Sequence, residues 1–548
     1  MLSFYSARKL VHSNHLARLA PMADRSAHPF RAALRKGVLL PLFILLAACG
    51  GGGSGGGEPG ESPVVLLWMT LNTPLNLAHT VLELGATVTL GATGTYSDAT
   101  KRDLSGSVIW TSSAPHVATI SPGGVVSAVA GGTTTITATS DGISASTPLT
   151  VQSAVVTYLH VFGAVPSDGS QPNGPLLQAS DGNFYGTTRA GGANRCYAID
   201  NFCGAIFRLT PGGTVTVLYS FGASPTDGWA PYGPLIQARD GALYGVTFSG
   251  GTYDVGTVFK ITLDGAYTVL HSFGASLSEG QNPFGALLEA SDGNFYGATL
   301  HGGEHCARVA FTCGTIFRIS PNGEHAVLYS FGSSPEDGAV PNGHLIEGSD
   351  GSFYGTTSLG GNASCTAYPE EPGCGTVFKM TLAGEMTILH SFGASNTDGA
   401  FPLGPLVLGD DGIFYGTTYY GGDWYGCSIT SPGCGTVFRI TPAGTLTILY
   451  SFTPPGSFEG RNPTPYLIRG RDGNFYGMTE SAQSGYTGTV FRLTPSGLKQ
   501  TLYTFGPAEF QPVGGLIEGT DGAFYGVTAY DGRVSPVALG TVFRLVVP

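Results

Sequence analysis

The sequence has few charged side chains: Asp, Glu, Lys and Arg make up 11% of it, against 42% hydrophobic residues. Disordered chains combine low hydrophobicity with high charge, so this composition excludes disorder as the main state. Basic residues are scarcer still beyond position 48, where the formal net charge is −18. The absence of a basic patch there argues against a nucleic-acid-binding protein. A chain of 548 residues is also too long for one ordinary domain.

Long apolar stretches are missing as well. The apolar segment 37–48 follows three basic residues and is too short for a permanent membrane-spanning helix. Its end, Leu46-Ala47-Ala48-Cys49, resembles the bacterial lipobox, which implies cleavage before Cys49 and lipidation of that cysteine. The alternative is an ordinary secretory signal in which Cys49 is incidental, and either way the sequence predicts export.

The predicted signal peptide therefore covers residues 1–48, with translation starting at Met1 or at Met22. Residues 49–62 are mostly glycine and predict a flexible tether, because glycine has no side chain to bury. Resemblance to lipoproteins implies anchoring in the bacterial cell envelope, at the outer membrane or cell surface.

Cysteine is absent from residues 63–152, which excludes a disulfide between sheets in that segment. Six short β-branched runs between Ala86 and Gln152 alternate with turn residues and predict a β-sandwich. The segment Trp110 to Thr139 resembles a group 2 bacterial immunoglobulin-like domain, a spacer or adhesion module in which the tryptophan belongs to the core. We expect Trp110 and His116 to pack rather than to bind a ligand.

Residues 153–548 repeat one unit of about fifty to sixty residues. The motif Asp-Gly-x-Phe/Leu-Tyr-Gly-x-Thr recurs at Asp181, Asp240, Asp292, Asp350, Asp411, Asp472 and Asp521. Each unit contains four short strand-like runs, and seven four-stranded units predict an all-β, seven-bladed β-propeller. The segment 157–162 matches the fourth strand that the last unit lacks, so the N-terminal strand is expected to complete the last blade. A superhelical solenoid is the alternative.

The motif, followed by Gly-Gly and then Gly-Thr-Val-Phe, resembles the Gloeo/Verruco (GloVer) tandem repeat of anchored bacterial surface proteins. The resemblance covers about 390 residues. The family has no established biochemical activity, so the resemblance supports the predicted architecture and not a function.

Eight cysteines fall as pairs within single units, and in each pair the second cysteine directly precedes a Gly-Thr/Ala-Val/Ile-Phe strand. The pairs are Cys196 with Cys203, Cys306 with Cys313, Cys365 with Cys374, and Cys427 with Cys434. In an exported chain this pattern predicts disulfides that staple the loop between the second and third strands. The rival interpretation is a zinc ion held by two thiolates and His301 or His305. Against it, a closed zinc site needs four ligands, and the other three cysteine loops contain no histidine. We predict no metal site here.

The face that carries these loops is the predicted functional face, because length variation concentrates there. Its unit-specific aromatic residues are candidates for stacking on sugars or contacting protein: Trp229, Tyr232, Phe284, Phe401, Trp424 and Tyr425. The connections between units also carry a carboxylate each: Asp168, Asp227, Glu279, Asp337, Asp398, Glu459 and Glu509. Repetition favours a turn-capping role for these acids over calcium binding.

No catalytic residues are predicted. Outside the glycine tether the sequence has neither a Gly-x-Ser-x-Gly elbow nor a His-Glu-x-x-His motif, and no spacing selects a pair among its unit-specific acids, Asp254, Glu304, Asp423 and Asp531. The chain is predicted to be a monomeric, cofactor-independent binding or adhesion module for a glycan or protein at the cell surface, with calcium left open. The alternatives are a carbohydrate-active hydrolase or lyase, and a purely structural envelope protein.

Overall fold

The structure is a computed structural model that describes residues 63–72, 80–163, 166–194, 203–305, 313–362, 365, 373–395, 397–422, 434–452, 460–481, 488–506, 511–529 and 540–547. The predicted signal peptide and tether, Cys49 included, lie outside these residues. No helix in the described part of the chain is long and apolar enough to cross a membrane. Its helical content is two single 3-10 turns, Pro166–Asp168 and Leu277–Glu279.

The N-terminal part of the described chain is an all-β domain. Its strands are β1 (Leu66–Asn72), β2 (Thr80–Glu83), β3 (Thr87–Thr89), β4 (Gly91–Tyr96), β5 (Lys101–Asp103), β6 (Ile109–Ser112), β7 (Ala118–Ile120), β8 (Val125–Ala128), β9 (Gly132–Ser140) and β10 (Ile143–Gln152). They form three sheets, ordered β1-β4-β5, β2-β10-β9-β6 and β3-β8-β7. Trp110 is 8% exposed in the shared core, as predicted, whereas His116 is exposed rather than packed.

The repeats form the rest of the chain. The strands from the first repeat region are β11 (Val155–Val161), β12 (Ser170–Pro172), β13 (Leu177–Gln178), β14 (Phe184–Ala190), β15 (Ala205–Leu209), β16 (Val215–Ser220), β17 (Gly228–Trp229), β18 (Ile236–Gln237), β19 (Leu243–Thr247), β20 (Ser249–Gly250), β21 (Thr257–Ile261), β22 (Tyr267–Ser272), β23 (Gln281–Glu289), β24 (Phe295–His301), β25 (Thr315–Ile319) and β26 (His325–Ser330). The later repeats contain β27 (Gly338–Pro341), β28 (Ile346–Glu347), β29 (Phe353–Gly360), β30 (Thr376–Met380), β31 (Met386–Ser391), β32 (Gly399–Ala400), β33 (Val407–Leu408), β34 (Phe414–Thr418), β35 (Tyr420–Gly421), β36 (Thr436–Ile440), β37 (Leu446–Ser451), β38 (Arg461–Pro463), β39 (Ile468–Arg469), β40 (Phe475–Ser481), β41 (Gly488–Leu493), β42 (Lys499–Phe505), β43 (Gln511–Glu518), β44 (Phe524–Ala529) and β45 (Thr541–Val546).

The first six repeats each form an antiparallel sheet with four strands along its main path, and the seventh repeat contributes three strands of its own. In the second and fifth repeats, part of the first strand pairs separately, as β17-β20 and β32-β35. The pattern is clearest in the third repeat, where the sheet order is β23-β24-β25-β26. In most repeats the first strand is interrupted, as in β12 and β13, which both pair with β14. The motif segment forms the second strand in every repeat, and its residues are almost entirely buried.

The last repeat takes its fourth strand from the start of the region. β11 pairs antiparallel with β45, which gives the sheet order β11-β45-β44-β43. The prediction that the N-terminal strand completes the last unit is therefore confirmed as a strand pairing. The chain is thus all-β in both its immunoglobulin-like and its repeat parts.

The Asp-Gly hairpins are fixed by the motif itself. Asp181 accepts the backbone N–H of Asn183 at 3.0 Å through Oδ1 and the hydroxyl of Tyr185 at 2.7 Å through Oδ2. Burial, and then the hydrogen bond to Asp181, raises the pKa of Tyr185 to about 12. The Tyr-to-Asp bond recurs in all seven units. These acids therefore have a structural role, because each fixes the hairpin in which it lies.

The same tyrosines join neighbouring sheets. The ring of Tyr244 stacks on Phe295 of the next sheet with centroids 4.2 Å apart, and four further junctions repeat this contact. The first and last sheets meet in the same way, since Phe184 and Tyr525 lie 4.1 Å apart. Offset aromatic pairs of this kind add stabilisation beyond the area they bury.

Candidate functional site

The carboxylates of the inter-repeat connections are held by their own repeat. Asp227 accepts the hydroxyl of Tyr219 at 2.8 Å and the backbone N–H of Ala223 at 3.0 Å. Glu279, Asp337 and Asp398 also accept backbone N–H groups from their own loops. Asp168 contacts the His160 ring at 3.1 Å, while Glu459 and Glu509 lie outside the described residues. This geometry supports the turn-capping interpretation for the four acids that accept backbone N–H groups, and calcium stays a prediction.

A sharp turn follows the connection carboxylate in six of the seven units. The residue before the next proline has a positive φ in six units: Gln171, Ala230, Asn282, Val340, Phe401 and Asn462. Non-glycine residues seldom adopt this conformation. Here a tertiary hydrogen bond offsets the strain, as in the Phe401 N–H that donates to the carbonyl of Cys374 at 2.8 Å. The turn sets the position of the aromatic candidates on either side of the proline.

Two of the six aromatic candidates meet directly. Tyr232 lies 6.1 Å from Phe284 and 5.3 Å from Phe248, measured between ring centroids. The guanidinium of Arg189 lies over the Tyr232 ring, 5.0 Å from its centroid. All four side chains are partly buried, and burial raises the pKa of Tyr232. We call Arg189, Tyr232, Phe248 and Phe284 the aromatic cluster.

The other candidates have different surroundings. The Trp229 indole is partly buried against a core cluster and donates Nε1–H to Asp254 at 3.0 Å. Phe401 is 6% exposed and its ring meets Tyr420 edge-on at 5.7 Å. Trp424 and Tyr425 lie outside the described residues. The structure therefore brings together Tyr232 and Phe284 and places Trp229 and Phe401 elsewhere.

The cluster members that the sequence analysis missed share one position. Arg189 and Phe248 both follow the last threonine of the motif, and this position differs in every unit: Arg189, Phe248, Leu300, Ser358, Tyr419, Glu480 and Ala529. A search for variable positions next to the motif would have found them. The same position supplies a second contact, since Tyr419 donates its hydroxyl to Glu480 at 2.8 Å and burial raises the pKa of Glu480.

A cavity of about 480 Å³ lies at the hairpin ends of the first strands, lined by prolines together with His344 and Tyr466. The N–H of Ala286 donates to Nδ1 of His344 at 3.3 Å, which places the ring proton on Nε2, 3.2 Å from the Tyr466 hydroxyl. Burial lowers the pKa of His344 to about 4. The imidazole is therefore neutral at pH 7.

The cysteine prediction is confirmed in one loop. Cys365 and Cys374 form a disulfide with a Cα–Cα distance of 5.8 Å. Cys203 and Cys434 are also disulfide-bonded, but their predicted partners Cys196 and Cys427 lie outside the described residues, as does Cys306. Cys313 is buried beside its strand.

Comparisons with known families match most of the chain. The Gloeobacter/Verrucomicrobia repeat matches residues 122–368, 314–452 and 363–547. The group 2 bacterial immunoglobulin-like domain matches residues 73–151. Both agree with the resemblances found in the sequence.

The individual proteins that match either cover a short part of this chain or share little sequence identity with it. Ice-binding protein 1 of Shewanella frigidimarina (strain NCIMB 400) is 36% identical over 132 residues, which are 23% of this chain and 14% of that protein. Among solved structures, an ulvan lyase bound to its saccharide is 10% identical, with a TM-score of 0.41, over 69% of this chain and 92% of the other. A protein of unknown function from Dyadobacter fermentans DSM 18053 is 11% identical, with a TM-score of 0.40, over 72% and 99%. At these scores the structural likenesses carry no argument about activity.

Proposed function

The chain belongs to the Gloeobacter/Verrucomicrobia repeat family, and from this premise we propose that it is an exported, surface-displayed binding protein built on a seven-bladed β-propeller. The immunoglobulin-like domain acts as a spacer between a lipidated Cys49 with its glycine tether and the propeller. The propeller presents a glycan or protein ligand site on its loop-rich face.

Contacts between first strands support the propeller. A Cβ on Gly233 would meet the backbone of Gly285, one on Gly285 would meet Asn342 and Gly343, and one on Gly514 would meet Asn173 and Gly174. The last of these contacts links the seventh repeat to the first, as does the Phe184–Tyr525 pair. Seven sheets arranged around an axis account for both contacts, while a solenoid would leave its first and last repeats apart.

The aromatic cluster is the observation that carries the binding site. The position after the proline, which supplies Tyr232 and Phe284, holds asparagine, leucine, threonine or valine in the other five repeats. Aromatic rings are therefore not required there by the fold. Flat rings beside a guanidinium suit the apolar faces and hydroxyls of a sugar, or an aromatic side chain of a partner protein.

The test replaces both rings with the residue that other repeats carry. Tyr232→Asn together with Phe284→Asn copies Asn173 and Asn342, so the variant should fold. We expect the full chain, with its disulfides formed, to bind selected ligands on a glycan array or captured surface proteins, and the double variant to lose this binding. Tyr253→Ala is the matched control, since this aromatic residue of the same repeat is 52% exposed. Equal binding by all three proteins would refute the assignment.

The anchor is tested separately. Cys49→Ala should abolish incorporation of labelled fatty acid and release the protein from the membrane fraction. Unchanged labelling would rule out Cys49 as the lipidated residue.

A lyase or hydrolase acting on surface polysaccharide is the second candidate, favoured by Glu480. A carboxyl whose pKa is raised by burial, with a tyrosine hydroxyl 2.8 Å away, has the properties of a proton-transfer group. Screening uronate polysaccharides for new unsaturated or reducing ends would test this candidate. Product formation that survives Glu480→Gln would exclude that role for Glu480.

A further inference from the structure

Two histidines and a glutamate converge where the outer strands of the second and third sheets meet. His271 lies on β22 and His325 begins β26, and Glu279 lies in the connection between the two repeats. Ligand atoms of these three residues all lie within 4.8 Å of one another. This group is outside the aromatic cluster and the cysteine loops.

The distances place both imidazoles beside one carboxylate. Nε2 of His271 is 2.7 Å from Oε1 of Glu279, and Nδ1 of His325 is 3.7 Å from the same oxygen. The two rings are parallel within 8°, with centroids 4.4 Å apart. Imidazole binds a metal in its ring plane, so the rings must tilt apart towards Glu279 when an ion enters.

The burial of the polar His325 side chain needs an explanation. Its side chain is 9% exposed, and its Nε2 is buried without a hydrogen-bond partner. Its Nδ1 is too far from Glu279 for a hydrogen bond. Burying a polar group without a partner costs free energy, so a neutral imidazole in this position indicates a missing partner.

The repeats show that the fold does not require this set. The residue equivalent to His325 is Val156, Val215, Tyr267, Met386, Leu446 or Lys499 in the other units. His390 and Asp398 form the same histidine–carboxylate pair as His271 and Glu279, but there the neighbouring strand supplies Leu446. Glutamate also replaces the aspartate of the first, second, fourth and fifth connections and so reaches one methylene further.

A cavity of about 610 Å³ opens beside the group. Glu279 and His325 line it together with Glu304 and His305, the unit-specific pair of the third repeat. An ion held by the first three residues would therefore have open coordination positions facing a polar cavity, with further nitrogen and oxygen donors on its wall.

We propose that His271, Glu279 and His325 form a binding site for a divalent first-row transition metal ion, with Zn²⁺ as the probe. Two imidazole nitrogens and one carboxylate are a donor set that zinc uses in proteins. The ion joins two neighbouring sheets and takes the lone pair of the His325 nitrogen that faces Glu279, Nδ1. The proposal does not depend on the ligand of the aromatic cluster.

The test titrates Zn²⁺ into the metal-free full chain, expressed without a polyhistidine tag, by calorimetry. The wild-type chain should bind one equivalent at this site. His325→Leu copies the fifth repeat and should fold normally, while weakening Zn²⁺ binding by at least about tenfold. Glu279→Gln should weaken it similarly. Co²⁺ should give a ligand-field spectrum in the wild type that His325→Leu lacks.

His390→Gln is the matched control, because it removes a histidine from the equivalent pair that lacks the second imidazole. Binding that survives His390→Gln and fails in His325→Leu supports the site. Equal loss in both variants, unchanged binding in His325→Leu, or no binding of Zn²⁺, Co²⁺ or Ni²⁺ at micromolar concentration would overturn it.

Discussion

The contact between Gly233 and Gly285 gives a direct test of how the repeats are arranged. A methyl group at Gly233 would collide with the carbonyl group of Gly285 in the next repeat. Gly233 does not have a positive φ, so Gly233→Ala adds a steric clash and no backbone strain. The atoms in the way are backbone, so no side-chain rotation can relieve the clash.

The expected cost follows from overpacking. Inserting a methyl group into a closely packed interior costs about 1–3 kcal/mol, and a clash with fixed backbone belongs at the upper end of that range. Away from clashes, Gly→Ala stabilises a protein by about 0.4–1 kcal/mol through the unfolded state. Gly212 provides that reference, since it is exposed and the atom nearest to a Cβ added there would be the Thr210 hydroxyl oxygen, at 3.9 Å.

The assay is urea unfolding followed by circular dichroism and intrinsic fluorescence. We expect Gly233→Ala to be about 3 kcal/mol less stable than wild type and Gly212→Ala to be as stable as wild type or slightly more so. If the two variants unfold at the same urea concentration, the first strands are not in close contact. The arrangement of seven sheets around an axis would then be wrong.

Three further predictions concern stability. Replacing Cys365 and Cys374 by serine should cost about 2–3 kcal/mol in urea unfolding, and reductant should no longer shift the midpoint through this loop; no loss would show that the disulfide does not constrain the unfolded chain. The bond from Lys379 lowers the pKa of Asp350 to about 2, below its unfolded value, so this stabilisation is present at neutral pH and is lost as the pH falls from about 4 to about 2. Asp350→Asn should flatten that acid dependence, and an unchanged slope would contradict the pairing. Burial lowers the pKa of His344 from 6.5 to about 4, so stability should decline as the pH falls from 6.5 towards 4; a His344→Gln variant with the same decline would exclude His344 as its source.

The repeat motif predicted the local structure because it contains its own partners. The aspartate and the tyrosine of one hairpin bond to each other across four residues, as Asp181 and Tyr185 do. The pairing of β11 with β45 was also predictable, since the two ends of the region complement each other in sequence. Both inferences use information that is contiguous or repeated.

The interruption of the first strand was not predictable in this way. Val340 and Phe401 adopt a positive φ that their own side chains disfavour. Backbone hydrogen bonds to Cys313 and Cys374, residues of the preceding loop, hold them there. Only the folded unit supplies those acceptors. Phe401 combines this backbone conformation with a buried ring, and its sequence position in a loop did not indicate that burial.

Because the chain contains seven copies of one unit, residues that the fold requires can be distinguished from residues that serve a function more clearly than in a single domain. A feature shared by the copies, such as the Tyr–Asp hairpin bond, is explained by the fold, so its loss should reduce stability in whichever repeat it is changed. A feature of one copy, such as His325 or the Tyr232–Phe284 pair, cannot be required by the fold, because sibling repeats adopt the same sheet without it. Substituting the sibling residue should therefore remove the proposed function, and it leaves a side chain that the same backbone already accommodates. The proposed metal site and the aromatic cluster are alike in this respect, since each variant has a folded template elsewhere in the chain.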